Sequence, residues 1–412
     1  MIYFNNAADS YPKLASIHKF LGDPNYLSTG RECSCITSSN EIVTEVFRKK
    51  LLEFLNVPEG YQVTITNGAT ESANLIIQSF YKQATATSQV IFDFGCHNSI
   101  VRPLHELYGA HRLIIHKHPF LDPCQFDGSN IGDISQIAKD IQMMLFSYQS
   151  NVTGSYYANP QDIFRFLEFF EMYNTAVIFD ITQAIGNCKL DVIELLGNYR
   201  KSFRNLYLFG TFHKSMGSIC GCGFVIHPKN HCLKPLIYGG TGTVTYDYKQ
   251  PTDYPNYLES GTHNVTAIQC ANIAMDYVSA FLEQKQLAKK QLSEYFWNQY
   301  TKLERDCEIV KKYFFLQSRD VNFESGLINL IPYETAIGES MAVRLYQGYK
   351  IITRFGCHCC PLFYFYKDGK KYHQSLRLSF NEFNTKDEID TFIQAFSNCI
   401  FDIEMETKHE SA

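Results

Sequence analysis

Lys214 stands in Thr211-Phe-His-Lys-Ser215, directly after the apolar run Leu206-Tyr-Leu-Phe-Gly210, and Asp180 closes another apolar run, Ala176-Val-Ile-Phe-Asp180, 34 residues earlier. If both runs are strands of one open α/β sheet, an amine and a carboxylate arrive at the edge where such sheets bind ligands. The amine can form a Schiff base with a carbonyl cofactor. The carboxylate can keep a ring nitrogen protonated, so that the ring draws electrons from the reacting carbon. That division of labour suits pyridoxal 5'-phosphate. Taken singly, a surface lysine and a strand-end aspartate are the plainer reading of the two residues.

Other strand ends carry groups that such a cofactor would use. Ile65-Thr-Asn-Gly-Ala-Thr-Glu-Ser72 reads as a strand, a glycine turn and a helix. A helix start offers free backbone N–H groups to a phosphate at Ala69 and Thr70. Thr70 or Ser72 as an ordinary helix cap is the plainer alternative. In Gly95-Cys-His-Asn-Ser99, His97 can lie over an aromatic ring. In Ser150-Asn-Val-Thr-Gly154, Asn151 can donate to a phenolic oxygen, and Gln183 can approach the same oxygen. Asn and Gly also simply make turns. The weight lies in the series, because six successive strand ends each bring a polar group suited to one flat anionic ligand.

The elements that position these residues follow from periodicity. Short apolar runs at 61–66, 90–94, 112–116, 143–147, 176–180, 205–210 and 223–227 alternate with helical patterns, which predicts a mostly parallel seven-stranded sheet. From 264 to about 308, apolar residues recur at helical spacing without Pro or Gly. Strand-like runs at 327–331 and 375–380 and a helix from about Lys386 follow. The expected architecture is α/β: a large domain over 16–263, and a smaller α+β domain over 1–15 and 264–412.

At 412 residues, with 45% hydrophobic and 19% charged residues, the chain can bury two cores. A net charge of -5 offers no general attraction to nucleic acid or to an anionic membrane. No basic leader with an apolar core opens the sequence, and no uninterrupted apolar stretch reaches spanning length, so a cytoplasmic enzyme is expected. The fourteen cysteines are expected to be reduced. Cys33-x-Cys35, Cys220-x-Cys222 and Cys357-His-Cys-Cys360 do not supply the two paired CxxC motifs of a zinc site, and no metal is expected.

In order along nearly the whole chain, Tyr3-Phe-Asn-Asn-Ala-Ala8, Thr66-Asn-Gly-Ala-Thr-Glu-Ser72, His97-Asn-Ser99, Ser150-Asn-Val-Thr-Gly154, Asp180-Ile-Thr-Gln183, Gly210-Thr-Phe-His-Lys214, Gly239-Gly-Thr-Gly242, Glu259-Ser-Gly-Thr262, His358-Cys359 and Leu376-Arg377 resemble the class V, fold type I pyridoxal phosphate enzymes of the cysteine desulfurase and selenocysteine lyase group. The resemblance implies that Lys214 is the Schiff-base lysine, that Asp180 pairs with the pyridinium and that His97 stacks on the ring. It places Asn151 and Gln183 near the phenolic oxygen, and Ala69, Thr70, Thr211 and His213 at the phosphate. Thr243 would reach the phosphate of a neighbouring subunit, which makes a homodimer the expected assembly. Arg377 would clamp the substrate carboxylate, a task for a planar bidentate guanidinium, and Asn151 would also contact the substrate.

Reaction type turns on Cys359 in Thr353-Arg-Phe-Gly-Cys-His-Cys-Cys-Pro-Leu362, which looks like the desulfurase loop. The resemblance implies that L-cysteine gives L-alanine while Cys359 takes the sulfur as a persulfide, assisted by a histidine, His358 or His97. A sulfur-acceptor protein is the expected partner. Departures crowd this loop: Cys357 and Cys360 flank the pair, Cys96 precedes His97 where an acid is usual, and Ser28-Thr-Gly-Arg31 matches only in part. They keep open which of the three loop thiols carries sulfur. They also leave room for selenocysteine or other C–S lysis, epimerisation or transamination, in which Cys359 is not essential, and for a sulfur carrier with little turnover.

Overall fold

The computed structural model describes residues 1–23, 42–116, 138–156, 174–197, 205–230, 232–243, 246–318 and 322–410. Cys33, Cys35 and the Ser28-Thr-Gly-Arg31 motif lie outside the described residues. The chain forms two compact units, one of Lys13–Gln149 with Tyr156–Ala280, the other of Met1–Pro12, Ser150–Ser155 and Phe281–Ala412. The sequence reading put the division at 264. The compact units divide later, inside the helix Val265–Asp306, which runs without interruption because no Pro or Gly breaks it.

The first unit is built on seven strands: β1 (Tyr61–Thr66), β2 (Gln89–Asp93), β3 (Leu113–His116), β4 (Ile141–Ser147), β5 (Ala176–Asp180), β6 (Leu206–Thr211) and β7 (Gly223–Pro228). Their order across the sheet is β1-β7-β6-β5-β4-β2-β3. Only β7 runs against its neighbours; the remaining contacts are parallel. Strands covered on both faces must be apolar throughout. Every residue of β5, β6 and β7 is buried, which is why these runs read as continuous rather than alternating. The helix Ala69–Tyr81 buries Ala73, Leu75, Ile76, Ile77 and Phe80, and Asn98–Tyr108 buries Ile100, Val101, Leu104 and Tyr108.

The second unit has a four-stranded antiparallel sheet in the order Arg354–Gly356, Ser375–Ser379, Leu327–Pro332, Phe314–Leu316. Its core joins Phe4, Phe296, Tyr300, Phe380, Phe392 and Phe396 to Leu330, Leu376 and Leu378. Each fully buried side chain of this size contributes roughly 1.5–3 kcal/mol. The last helix starts at Lys386 for a local reason. Thr385 Oγ1 accepts from the Glu388 N–H at 3.2 Å and the Glu388 carboxylate accepts from the Thr385 N–H at 3.0 Å, a reciprocal capping box.

Candidate active site

Sheet register decides what meets at the C-terminal edge of the first unit. Thr66 at the end of β1 and Thr211 at the end of β6 are both paired with Gly223, the first residue of the reversed strand β7. A Cβ at Gly223 would lie 2.5 Å from Gly68 Cα, so only glycine admits the turn that leads into the Ala69–Tyr81 helix. Among the described residues no side chain caps that helix. Ser72, the plainer candidate for a cap, instead bonds Thr66 Oγ1 at 2.7 Å, and Thr70 is exposed. The first-turn amides at Ala69 and Thr70 are therefore left for an anion. Beside them, Thr211 Oγ1 donates to Cys222 O at 2.9 Å and accepts from His213 Nδ1 at 3.0 Å. That bond assigns the Nδ1–H tautomer to a neutral His213.

One strand further across, Asp180 is buried, and its carboxyl is pushed above the ordinary value by loss of solvent, opposed by the Thr182 N–H, which donates at 2.9 Å, and by the charge of Lys214. A buried carboxylate with this balance gains from a cation. Gln183, in the turn that follows, is also buried. His97 caps the Asn98–Tyr108 helix, accepting from the Ser99 N–H through Nδ1 at 3.1 Å, which fixes its ring and places the neutral ring's proton on Nε2. The uncapped amides, the glycine approach and the buried Asp180 with Lys214 fit a phosphate, a close flat ligand and a ring cation, as pyridoxal phosphate requires.

The second unit holds a different set. Arg377 is 1% exposed. Its Nη1 donates to Asn151 O at 2.6 Å, while Nε and Nη2 are buried with no hydrogen-bond partner among the described residues. Burial, with Arg354 nearby, lowers its proton affinity. Such a guanidinium is costly to hold and is relieved by a carboxylate. The Asn151 side chain donates to His358 O at 2.7 Å and accepts from Cys360 Sγ at 2.9 Å. The amide thus grips the loop that carries Cys359.

That loop is a tight turn. Cys360 N–H donates to Cys357 O at 2.9 Å, and the two central residues, His358 and Cys359, have φ of 52° and 62°. Two positive φ values mark a type I′ turn, which side chains other than Gly, Asn and Asp enter at a cost. His358 Nε2 lies 2.8 Å from Ser375 Oγ, which itself donates to Asn329 Oδ1 at 2.7 Å. The histidine must therefore donate from Nε2, leaving the buried Nδ1 bare. Burial, then Arg377 and Arg354, push its pKa well below the usual value, so His358 is a neutral base and not a cation beside the thiol. The charge next to the sulfur is that of Arg354, whose Nη2 donates to Cys359 Sγ at 2.9 Å.

Sequence reasoning singles out neither Asp93 nor Arg354, and it meets Glu259 only within the Glu259-Ser-Gly-Thr262 motif. Asp93 ends β2 as Asp180 ends β5, an apolar run closed by an aspartate, and that likeness was the available signal. Its buried carboxylate accepts from the Gly95 N–H, and from the Ser147 N–H at 2.9 Å, tying the His97 turn to the end of β4. Burial raises its pKa to about 7. Glu259 accepts from Ile65 N–H at 2.7 Å, from Arg48 and from His263 Nε2 at 2.9 Å, bracing β1 from behind. Arg354 shows no pattern in sequence that singles it out. Thr243 is exposed, with its hydroxyl 3.1 Å from Thr241 Oγ1.

Comparison with known proteins gives a consistent picture. The family profile for aminotransferase class-V matches residues 2–392. A probable cysteine desulfurase of Haemophilus influenzae is 23% identical over 408 residues, covering 97% of this chain and 86% of that protein. The cysteine desulfurase CsdA of Escherichia coli is 23% identical over 369 residues, covering 86% and 82%. The solved structure of a cysteine desulfurase from Thermococcus onnurineus NA1 superposes with a TM-score of 0.73 at 18% identity, over 97% of this chain and 94% of that one, a likeness of fold.

Proposed function

Because this chain belongs to the aminotransferase class-V family, whose cofactor is pyridoxal 5'-phosphate, we propose that it is a cysteine desulfurase, converting L-cysteine to L-alanine and leaving the sulfur as a persulfide on Cys359. The observation that carries the reading is the Cys359 turn, a half-exposed thiol held on a left-handed backbone with a guanidinium donor 2.9 Å from its sulfur. A lyase, epimerase or aminotransferase reading leaves that turn without a use.

Ala69, Thr70, Thr211 and His213 would hold the cofactor phosphate, His97 would cover the ring, and Asp180 and Gln183 would fix its polar edge. Bound pyridoxal phosphate supplies the electron sink for charge at the substrate α-carbon. Lys214 Nζ would carry the cofactor and would take the proton from the substrate Cα. Arg377 Nε and Nη2 receive the substrate carboxylate. Arg354 Nη2 stabilises the negative Cys359 sulfur that attacks the substrate sulfur. Asn151 keeps the turn in place through both ends of its amide.

The proposal extends to assembly. Thr243 lies in an exposed segment with Ile237, Tyr238, Tyr246 and Tyr248 at 55%, 66%, 99% and 105% exposure, a density of bare aromatic surface that suits burial against a second copy of the chain. A thiol-bearing acceptor protein would take the persulfide. The helix Val265–Asp306 is long and apolar enough to cross a membrane by length and composition alone. Its buried Lys285 pairs with Glu382 at 3.0 Å, which favours a packed helix in a cytoplasmic enzyme.

The deciding experiment gives the purified yellow protein L-cysteine and measures alanine and protein-bound sulfur. Lys214→Ala should lose the visible absorption, and Cys359→Ser should stop persulfide formation. Sulfur transfer that continues unchanged in Cys359→Ser would sink the mechanism.

A further inference from the structure

Cys357 and Cys360 bracket the Cys359 turn at Cys-x-x-Cys spacing, and the turn hydrogen bond from Cys360 N to Cys357 O closes them on each other. The ends of a β-turn lie within about 7 Å at Cα, which overlaps the roughly 4.4–6.8 Å that a disulfide spans. Their settings differ. Cys357 is half-buried and able to attack, whereas Cys360 is fully buried with its sulfur 2.9 Å from Asn151 Oδ1. An accessible first thiol and a buried second one are the two parts of a dithiol reductant: one takes up the sulfur, the other displaces it.

We propose that Cys357 and Cys360 form a built-in reducing pair that discharges the Cys359 persulfide as hydrogen sulfide and becomes a disulfide across the turn. The inference rests on the desulfurase reading, which supplies the persulfide. In the first step the Cys357 thiolate attacks the outer sulfur of Cys359–S–SH. The bond between the two Cys359 sulfurs breaks, and Cys359 recovers its thiol while Cys357 becomes the persulfide. In the second step Cys360 attacks the inner sulfur of Cys357–S–SH. A Cys357–Cys360 disulfide forms, the outer sulfur leaves with the electron pair of the broken bond, and the Cys360 proton goes with it as hydrogen sulfide. The transferred sulfur is reduced to sulfide and the two thiols are oxidised by the same two electrons, so no outside oxidant is needed. An external dithiol restores the pair. Without one, the first sulfur is released and the next remains on Cys359.

The test uses the full-length holoenzyme without reductant. L-cysteine is added, alanine and sulfide are measured, and the loop peptide is mapped by mass spectrometry. The expected result is about one equivalent of sulfide per subunit in a burst, with a Cys357–Cys360 disulfide that is absent before cysteine is added. In Cys357→Ser the sulfide burst should disappear and the extra sulfur should stay on Cys359. A wild-type loop that keeps its sulfur on Cys359 with Cys357 and Cys360 reduced would overturn the inference, as would a disulfide formed equally without cysteine. A parallel arm loads Cys359 from a small-molecule persulfide donor, bypassing the cofactor. No alanine in the first arm, with the disulfide forming in the second, would overturn the desulfurase reading and leave the dithiol chemistry standing.

Discussion

Arg377 and Asn151 are joined by a 2.6 Å hydrogen bond from the buried guanidinium Nη1 to the asparagine main-chain oxygen, and the side chain of the same asparagine holds His358 O and Cys360 Sγ. One residue therefore links the guanidinium proposed to recognise a carboxylate to the turn that carries Cys359. Asn151→Ala removes two side-chain bonds at a buried site, and each orphaned partner costs roughly 1–3 kcal/mol. The expected outcome is a lower melting temperature together with altered alkylation kinetics at Cys359 in the native protein. A variant that loses stability but keeps wild-type Cys359 reactivity would confine Asn151 to a packing role.

Arg377 has two buried nitrogens without partners among the described residues, and a substrate carboxylate would satisfy both. Charged hydrogen bonds of this kind contribute roughly 1.5–3 kcal/mol, so Arg377→Lys should raise KM for L-cysteine about 10-fold to 100-fold. The visible spectrum of the cofactor should not change. Steady-state kinetics beside absorption spectra check both halves, and an unaltered KM would remove Arg377 from substrate recognition.

The left-handed backbone at Cys359 predicts a separation between chemistry and stability. Cys359→Ala and Cys359→Gly both lack the thiol, but only glycine adopts φ of 62° without strain. Chemical denaturation should find the glycine variant more stable than the alanine variant by about 1 kcal/mol, while neither forms persulfide. Equal stabilities would mean that the turn relaxes once the sulfur is gone.

Much of this arrangement was legible in sequence. β5 starts and stops where its apolar run does, because a strand buried on both faces leaves an unbroken signature. Lys214, Asp180 and the Gly68 turn could be read for the same reason: they sit where periodic runs end. The second-unit contacts could not. Asn151 meets Cys360 across 209 residues of sequence and Arg377 across 226, and no local pattern encodes a pairing of that range. Arg354 reads as an ordinary strand residue, and its role exists only because the turn that follows folds the sulfur back onto it.

Asp93 gives a pH dependence of definite sign. Burial raises its carboxyl to about 7, above the ordinary aspartate value of about 3.9. The folded state then binds more protons than the unfolded one between those limits, so the Asp93 contribution is full below about pH 4 and is lost as pH rises towards 7. Asp93→Asn, which does not titrate, should flatten that part of the stability curve. Urea denaturation of both proteins from pH 4 to 8 checks it, and parallel curves would place the titration elsewhere.

The reversed strand β7 has a consequence for how the protein is made. It is the last strand of the sheet in sequence, yet it lies between the first, β1, and the lysine strand, β6, and its Gly223 completes the approach to Gly68. A growing chain can lay down the parallel centre of the sheet while the phosphate cradle still lacks one wall. Only when Gly223–Pro228 has left the ribosome can β1 be stitched in, a long-range closure of the kind that folds slowly. On the proposed assignment, cofactor capture waits for a nearly finished sheet, and a nascent chain stalled before β7 would carry Lys214 without the Gly68–Gly223 approach that completes the proposed phosphate site.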